Sequence, residues 1–238
     1  MELTQKNMST SAVGIAGAPN LRFWNTTNGK KAIMAVTGVI LAGFLVGHLL
    51  GNLQIFLGRD AFNRYAENLH NLPALVWGTR VVLLLAVGLH IWSTVQLADR
   101  KSSARPVAYQ KYTPQTSTYA SRTMYMSGPI VAAFIVYHLM HFTFGTGGTE
   151  YHYYDPYGNV VAGFKVLPIA LAYVVAMGLL SMHLRHGLWS FFQSLGLNHP
   201  AYTPKLKGAA AVIAVLIFLG FASIPVAVLL GAVKQDIF

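Results

Sequence analysis

Five apolar stretches dominate this chain, at about 31–57, 73–98, 122–144, 164–192 and 207–232. Each is long enough to cross a hydrocarbon layer of roughly 30 Å as a helix. The first runs without a charged residue from Lys31 to Arg59, and the second carries only Arg80 before Asp99. Pro73 opens the second at a position where proline favours a helix start. Pro129 and Pro168 stand near the beginnings of the third and fourth, and Pro225 inside the fifth predicts a kink. The expected fold is an all-α membrane protein with five transmembrane helices, the first four forming a bundle. They make one domain over 26–238 behind an N-terminal tail over 1–25. No cleavable signal peptide is evident: the first residues are small and polar, and the first apolar run is too long for one.

Composition agrees with this class. The chain is 54% hydrophobic and 10% charged, with a mean hydropathy of +0.48. Its net charge of +10 does not point to nucleic acid, because the basic residues fall in loops and at helix ends. Twelve basic residues gather on one side: Lys6, Arg22, Lys30, Lys31, Arg100, Lys101, Arg105, Lys111, Arg122, Arg185, Lys205 and Lys207. Arg59, Arg64, Arg80, Lys165 and Lys234 lie on the other, with Asp60, Glu67, Glu150, Asp155 and Asp236. This bias predicts a cytoplasmic N-terminus and an external C-terminus. The chain has no cysteine, which excludes thiolate-bound iron–sulfur clusters, zinc–thiolate sites and covalent c-type haem held by this chain alone.

Four histidines lie deep in four different spans: His48, His90, His138 and His183. Ionisable residues at membrane depth are costly and mark functional sites. At about 1.5 Å of rise per residue, His48 lies roughly 26 Å beyond Lys31, and His138 roughly 24 Å beyond Arg122. Both fall in the outer leaflet. His90 and His183, on helices running the other way, fall in the inner leaflet. His48 is therefore expected to face His138, and His90 to face His183, as ligands of two stacked bis-histidine haems. The alternative for a single membrane histidine is a hydrogen bond to a neighbouring helix. Gly47, Gly51 and Gly88 flank these positions, where small residues serve either close porphyrin approach or helix packing.

His141 and His186 form His138-x-x-His141 and His183-x-x-His186, and each is a candidate for a haem propionate or a quinone. Such pairs resemble the boxes of membrane di-iron oxygenases, but these two lie in opposite leaflets and cannot converge. Arg185 and Arg80 are candidates for the propionates of the inner and outer haem, the alternatives being a positive-inside anchor and a snorkelling side chain. Glu67 and His70, in the loop before the second span, either carry protons or are simply solvated. His152 and His199 read as solvated loop residues. The segment 145–163, GTGGTEYHYYDPYGNVVAG, reads as turns and interfacial aromatics, or else as a lid.

The stretches NGKKAIMAVTG (28–38), GHLLGNLQIF (47–56), AFNRYA (61–66), GLHIW (88–92), YHLMHF (137–142) and HLRHGLWSFFQSLGLN (183–198) resemble one family. It is the cytochrome b membrane anchor of succinate:quinone oxidoreductases, in its single-subunit, five-helix, two-haem form. The resemblance spans about 25–232, in the family's order. It implies haem ligation by His48, His90, His138 and His183. It also implies a flavoprotein subunit and an iron–sulfur subunit docked on the cytoplasmic face of a bacterial inner membrane. This chain would then carry no succinate chemistry; it would anchor the complex, bind quinone, usually menaquinone, and pass electrons between two haems b. The second histidines, the tyrosine-rich loop and the N-terminal extension depart from the family pattern. Two other classes are compatible with the residues: a cytochrome b anchor of another respiratory dehydrogenase, and a haem-free transporter using the histidines as a proton relay.

Overall fold

The computed structural model describes residues 22–104 and 119–234. The tail up to residue 21, Arg105, Lys111 and Asp236 lie outside the described residues. Five helices are long and apolar enough to cross a membrane: α1 (Thr27–Leu53, extended by a 3-10 turn to Leu57), α3 (Pro73–Ser103), α5 (Met124–Phe142), α7 (Leu167–Ser194) and α8 (Thr203–Leu229). Three shorter helices connect them: α2 (Arg59–His70), α4 (Tyr119–Arg122) and α6 (Pro156–Lys165). The protein is an all-helical, multi-pass membrane protein.

The helix starts follow from local chemistry. Thr26 caps α1 by accepting the Gly29 amide at 2.9 Å. Pro73, Pro168 and Pro204 stand in the first turns of α3, α7 and α8, where the missing amide hydrogen is not needed. The described residues open on a short turn, Phe23–Asn25, which Arg100 of α3 holds by bonding the Asn25 carbonyl and the Thr27 hydroxyl. Lys30 is buried there, its ammonium 4.2 Å from the Trp92 ring. α8 continues through the buried Pro225 to Leu229.

Packing is closest where small residues meet. α8 lies along α7, tied by a 2.8 Å bond from the Ser181 hydroxyl to the Ala214 carbonyl. α1 packs on α3, α7 and α8, and α5 packs on α7. A Cβ on Gly220 of α8 would come within 2.8 Å of the Leu49 side chain on α1, so Leu49 packs directly on the glycine. Most apolar side chains on α3 face outward, as lipid contact allows.

The two connecting helices on the side opposite the N-terminus correct the sequence reading. Glu67 and His70 lie on α2 rather than in a loop, and the second half of 145–163 forms α6. α6 is not a strip of turns: Tyr157, Val161 and Phe164 are buried, Val161 completely. They join Ile55, Phe62, Ala170, Tyr173, Ile224, Val228 and Val233 in a hydrophobic core that closes this end of the bundle. The physical reason is a strong start signal, Asp155-Pro156. The Asp155 carboxylate accepts the Gly158 amide at 3.1 Å, and proline occupies the first turn. Gly158 and Gly163 disguise the helix because glycine is a poor helix former. A Cβ on Gly163 would stand 2.8 Å from the His141 ring.

Candidate functional site

α1, α5 and α7 each present residues to two levels of the bundle. On α1, Thr37 meets His90 and, eleven residues on, His48 meets His138. On α5, Ser127 meets His183 and His138 meets His48. On α7, Tyr173 belongs with His138 and His183 with His90. Ten or eleven residues of helix separate the levels by about 15–16 Å. The three helices agree on that separation.

Within each level the histidine rings face each other. The His48 and His138 centroids are 5.8 Å apart, and those of His90 and His183 are 6.3 Å apart. Neither α1 with α5 nor α3 with α7 forms an extended helix–helix contact, so each pair spans a diagonal of the bundle. Side chains bridge these diagonals, as in bundle cofactor sites built from inward residues of facing helices.

Every one of the four rings has a polar neighbour at Nδ1. The Thr37 hydroxyl lies 3.1 Å from His90 Nδ1, and the Ser127 hydroxyl 3.5 Å from His183 Nδ1. The Tyr173 hydroxyl lies 3.4 Å from His138 Nδ1, and the Asn52 amide 3.3 Å from His48 Nδ1. Asn52 is also 3.4 Å from Nε2 of the same ring. An oxygen that accepts from Nδ1–H, as the hydroxyls beside His90, His183 and His138 can, orients a ring and directs Nε2, which is how metal-bound histidines are supported; the Asn52 NH2 is a donor, bonded to the His48 carbonyl at 2.7 Å. Sequence reasoning missed Thr37, Asn52, Ser127 and Tyr173. A signal existed for each: Asn52 is one turn after His48, and the others sit ten or eleven residues before a candidate ligand on their own helix.

The remaining candidates separate clearly. His141 is the most enclosed, 2% exposed, and both its nitrogens are held by protein hydroxyls. Nδ1 meets Tyr173 at 3.0 Å and Nε2 meets Thr149 at 3.2 Å. Both ring nitrogens are thus hydrogen-bonded within the fold. His186 is the reverse case. Its Nδ1 is buried with no hydrogen-bond partner among the described residues, and its ring meets only the Trp189 edge at 5.8 Å. Ser93, fully buried, has an equally unpartnered hydroxyl. Ser93 follows His90 by three residues and His186 follows His183 by three, so both orphans lie one turn from the second pair, toward the N-terminal side.

Arg185 is exposed and two residues from His183, hence on a different helix face. Arg80 is exposed too, its guanidinium stacked 4.9 Å over Trp77. Glu67 and His70 are exposed on α2, with His70 5.5 Å from the Tyr153 ring; His152 and His199 are also exposed. The glycines divide as well. Gly51 serves packing, since a Cβ there would stand 2.4 Å from the Tyr65 hydroxyl. Gly47, Gly88 and Gly187 have no atom within 4 Å of a Cβ position. Gly187, one turn beyond His183, shares that histidine's face, whereas Gly88 is two residues from His90 and does not.

These observations bear on what the pairs can hold. A metal–imidazole bond is about 2 Å long, and a five-membered ring's centroid lies about 1.2 Å behind its nitrogen. Two imidazoles on opposite sides of one metal thus put their centroids about 6.4 Å apart. The observed 5.8 and 6.3 Å fit that arrangement, as do the open position at Gly187 and the orphaned polar atoms of Ser93 and His186. Among the described residues no three His, Asp or Glu side chains gather to hold a bare ion. The two His-x-x-His pairs accordingly form no di-iron box.

A family model described as the succinate dehydrogenase/fumarate reductase transmembrane subunit matches residues 100–222, over half the chain and including His138 and His183. No curated protein and no solved structure matches the chain. On the family match, this chain belongs to the transmembrane subunits of succinate dehydrogenase and fumarate reductase.

Proposed function

We propose that this chain is the cytochrome b anchor of a succinate:quinone oxidoreductase and carries two haems b, one at each level. His48 and His138 ligate the outer haem, and His90 and His183 the inner. One observation carries the reading: four histidines from four helices meet as two facing pairs with 5.8 and 6.3 Å between centroids. The haems supply one-electron redox chemistry when bound. The chain's own residues do the rest. Thr37, Ser127 and Tyr173 orient His90, His183 and His138 by accepting from Nδ1. The fold keeps water from both levels, by lipid-facing apolar helices at one and by the α6 core above the other. Ser93 and His186 offer polar contacts beside the inner pair, toward the side where electrons enter, for a propionate or a quinone head group.

The basic bias puts the N-terminal side in the cytoplasm of a bacterial cell. A flavoprotein subunit and an iron–sulfur subunit dock there, where Lys31, Arg100, Lys101, Arg122, Lys205 and Lys207 supply steering charge. With haem held at both levels the chain would pass electrons between the iron–sulfur subunit and quinone, with menaquinone the species that the two-haem resemblance favours. Residues 26–238 act as one transmembrane unit.

The test is purification of the chain with its partners, followed by a reduced-minus-oxidised spectrum. Low-spin b-type bands, with a flavin subunit and an iron–sulfur subunit in the same complex, are expected. Absence of those bands overturns the cytochrome reading and leaves a haem-free relay. A metal–pterin or nickel partner instead of the flavin subunit overturns the succinate assignment.

A further inference from the structure

We infer that Tyr173, backed by His141, is a positioning residue that sets the hydrogen bond on His138 and thereby lowers the reduction potential of the outer haem. The inference rests on the two-haem reading above and adds to it the residues that tune the outer level.

Four groups form a continuous chain: His138 Nδ1 to the Tyr173 hydroxyl at 3.4 Å, that hydroxyl to His141 Nδ1 at 3.0 Å, and His141 Nε2 to the Thr149 hydroxyl at 3.2 Å. Ligation fixes the direction of every bond in it. A neutral imidazole carries one N–H. If His138 gives Nε2 to iron, its hydrogen is on Nδ1 and is donated to the Tyr173 oxygen. Tyr173 then has one hydrogen of its own, and His141 Nδ1 is the acceptor within reach. The His141 hydrogen is therefore on Nε2 and goes to Thr149. No two hydrogens collide and no lone pair faces another.

A phenol that is donating becomes a better acceptor, because hydrogen bonds in a chain polarise one another. Tyr173 thus draws on the His138 N–H more strongly than an isolated hydroxyl would. That makes the imidazole a more electron-rich ligand, which favours ferric over ferrous iron. The inner ligands lack this arrangement. The Thr37 hydroxyl donates to the backbone carbonyls of Ile33 and Met34, and that of Ser127 to Met124. Neither leads to a second side chain. The fold holds His141 tightly in place behind Tyr173. Cβ atoms on Gly147 or Gly163 would stand 2.5 and 2.8 Å from its ring, and Phe142 stacks on it at 4.0 Å.

The experiment is a potentiometric titration of the purified complex, with the two haems resolved by their low-spin electron paramagnetic resonance signals. Tyr173→Phe removes the hydroxyl and leaves the ring. It should move the outer haem toward the reduced form by up to about tenfold, about 59 mV for one electron, and leave the inner haem where it was. Thr37→Val should shift the inner haem alone, in the same direction. Where Tyr173→Phe fails to assemble, His141→Leu should shift the outer haem in the same direction. His141→Asn, whose amide oxygen can still accept from Tyr173, should restore it. Unchanged titration of both haems in Tyr173→Phe or His141→Leu, or an equal shift of both, overturns the inference while leaving the two-haem reading standing. A wild-type complex without b-type signals overturns both.

Discussion

Asn63 holds Asp155 from the side: its amide nitrogen donates to one carboxylate oxygen at 2.9 Å, while its own oxygen accepts the Tyr157 amide at 2.9 Å. Arg59 takes the other Asp155 oxygen at 2.6 Å. One carboxylate thus fastens α2 to α6, caps α6, and closes the bundle above His138 and His48. The Tyr157 hydroxyl extends the clasp by donating to the Lys234 carbonyl at 3.1 Å. The chain after α8 is therefore tied to the same cap.

The clasp should be sensitive to acid. Burial pushes the Asp155 carboxyl up, but Asn63, the Gly158 amide and Arg59 together outweigh it and hold the carboxyl below its ordinary value. A carboxylate lowered on folding stabilises the fold above its unfolded value and stops doing so as pH falls through the folded one. The contribution is therefore present at neutral pH and lost below about pH 4. Asp155→Ala should lower stability by about 1–2 kcal/mol, as loss of a helix cap does, and should flatten that acid dependence. Thermal unfolding in detergent from pH 3 to 7 measures both.

The glycines distinguish packing from ligand space. Gly51→Leu should disturb the fold, because Tyr65 already fills that position. A Cβ on Gly187 meets no protein atom within 4 Å, so Gly187→Leu enters open space. It should therefore leave thermal stability of the haem-depleted chain unchanged while reducing haem content at the inner level. Equal haem content in Gly187→Leu and wild type would place the inner porphyrin elsewhere.

His186 carries an unpartnered buried nitrogen, which costs the fold about 1–3 kcal/mol where nothing binds it. His186→Met should therefore leave the haem-depleted chain as stable as wild type, or more so. In the assembled complex it should slow quinone reduction or shift the inner haem's spectrum. Visible spectra and turnover with a soluble quinone analogue report the second half. A variant less stable on its own and unchanged in the complex would show that His186 is a packing residue.

Much of this was legible in the sequence. The five spans came from hydropathy, with ends shifted by a few residues where Thr26 and Pro204 set the real starts. The depth of His48, His90, His138 and His183 along alternating helices was enough to anticipate which rings meet. What stayed hidden depends on contacts between elements remote in sequence. Nothing local says that Asn63 will hold Asp155, so α2 and α6 read as loops. Nor could spacing show that both nitrogens of His141 would be filled by Tyr173 and Thr149 while Nδ1 of His186 would remain free. Arg185 and Arg80 looked alike as basic residues near ligands, and only helix face and the Trp77 ring tell them apart.

The central claim is that two separate histidine pairs each hold one haem. Haem per chain, measured on the purified complex by the pyridine haemochrome method, tests it most directly in wild type, His90→Leu and His48→Leu. Two haems are expected in wild type and one in each variant, with the inner signal missing from the first and the outer from the second. One haem or none in wild type, or loss of the same signal in both variants, would contradict it.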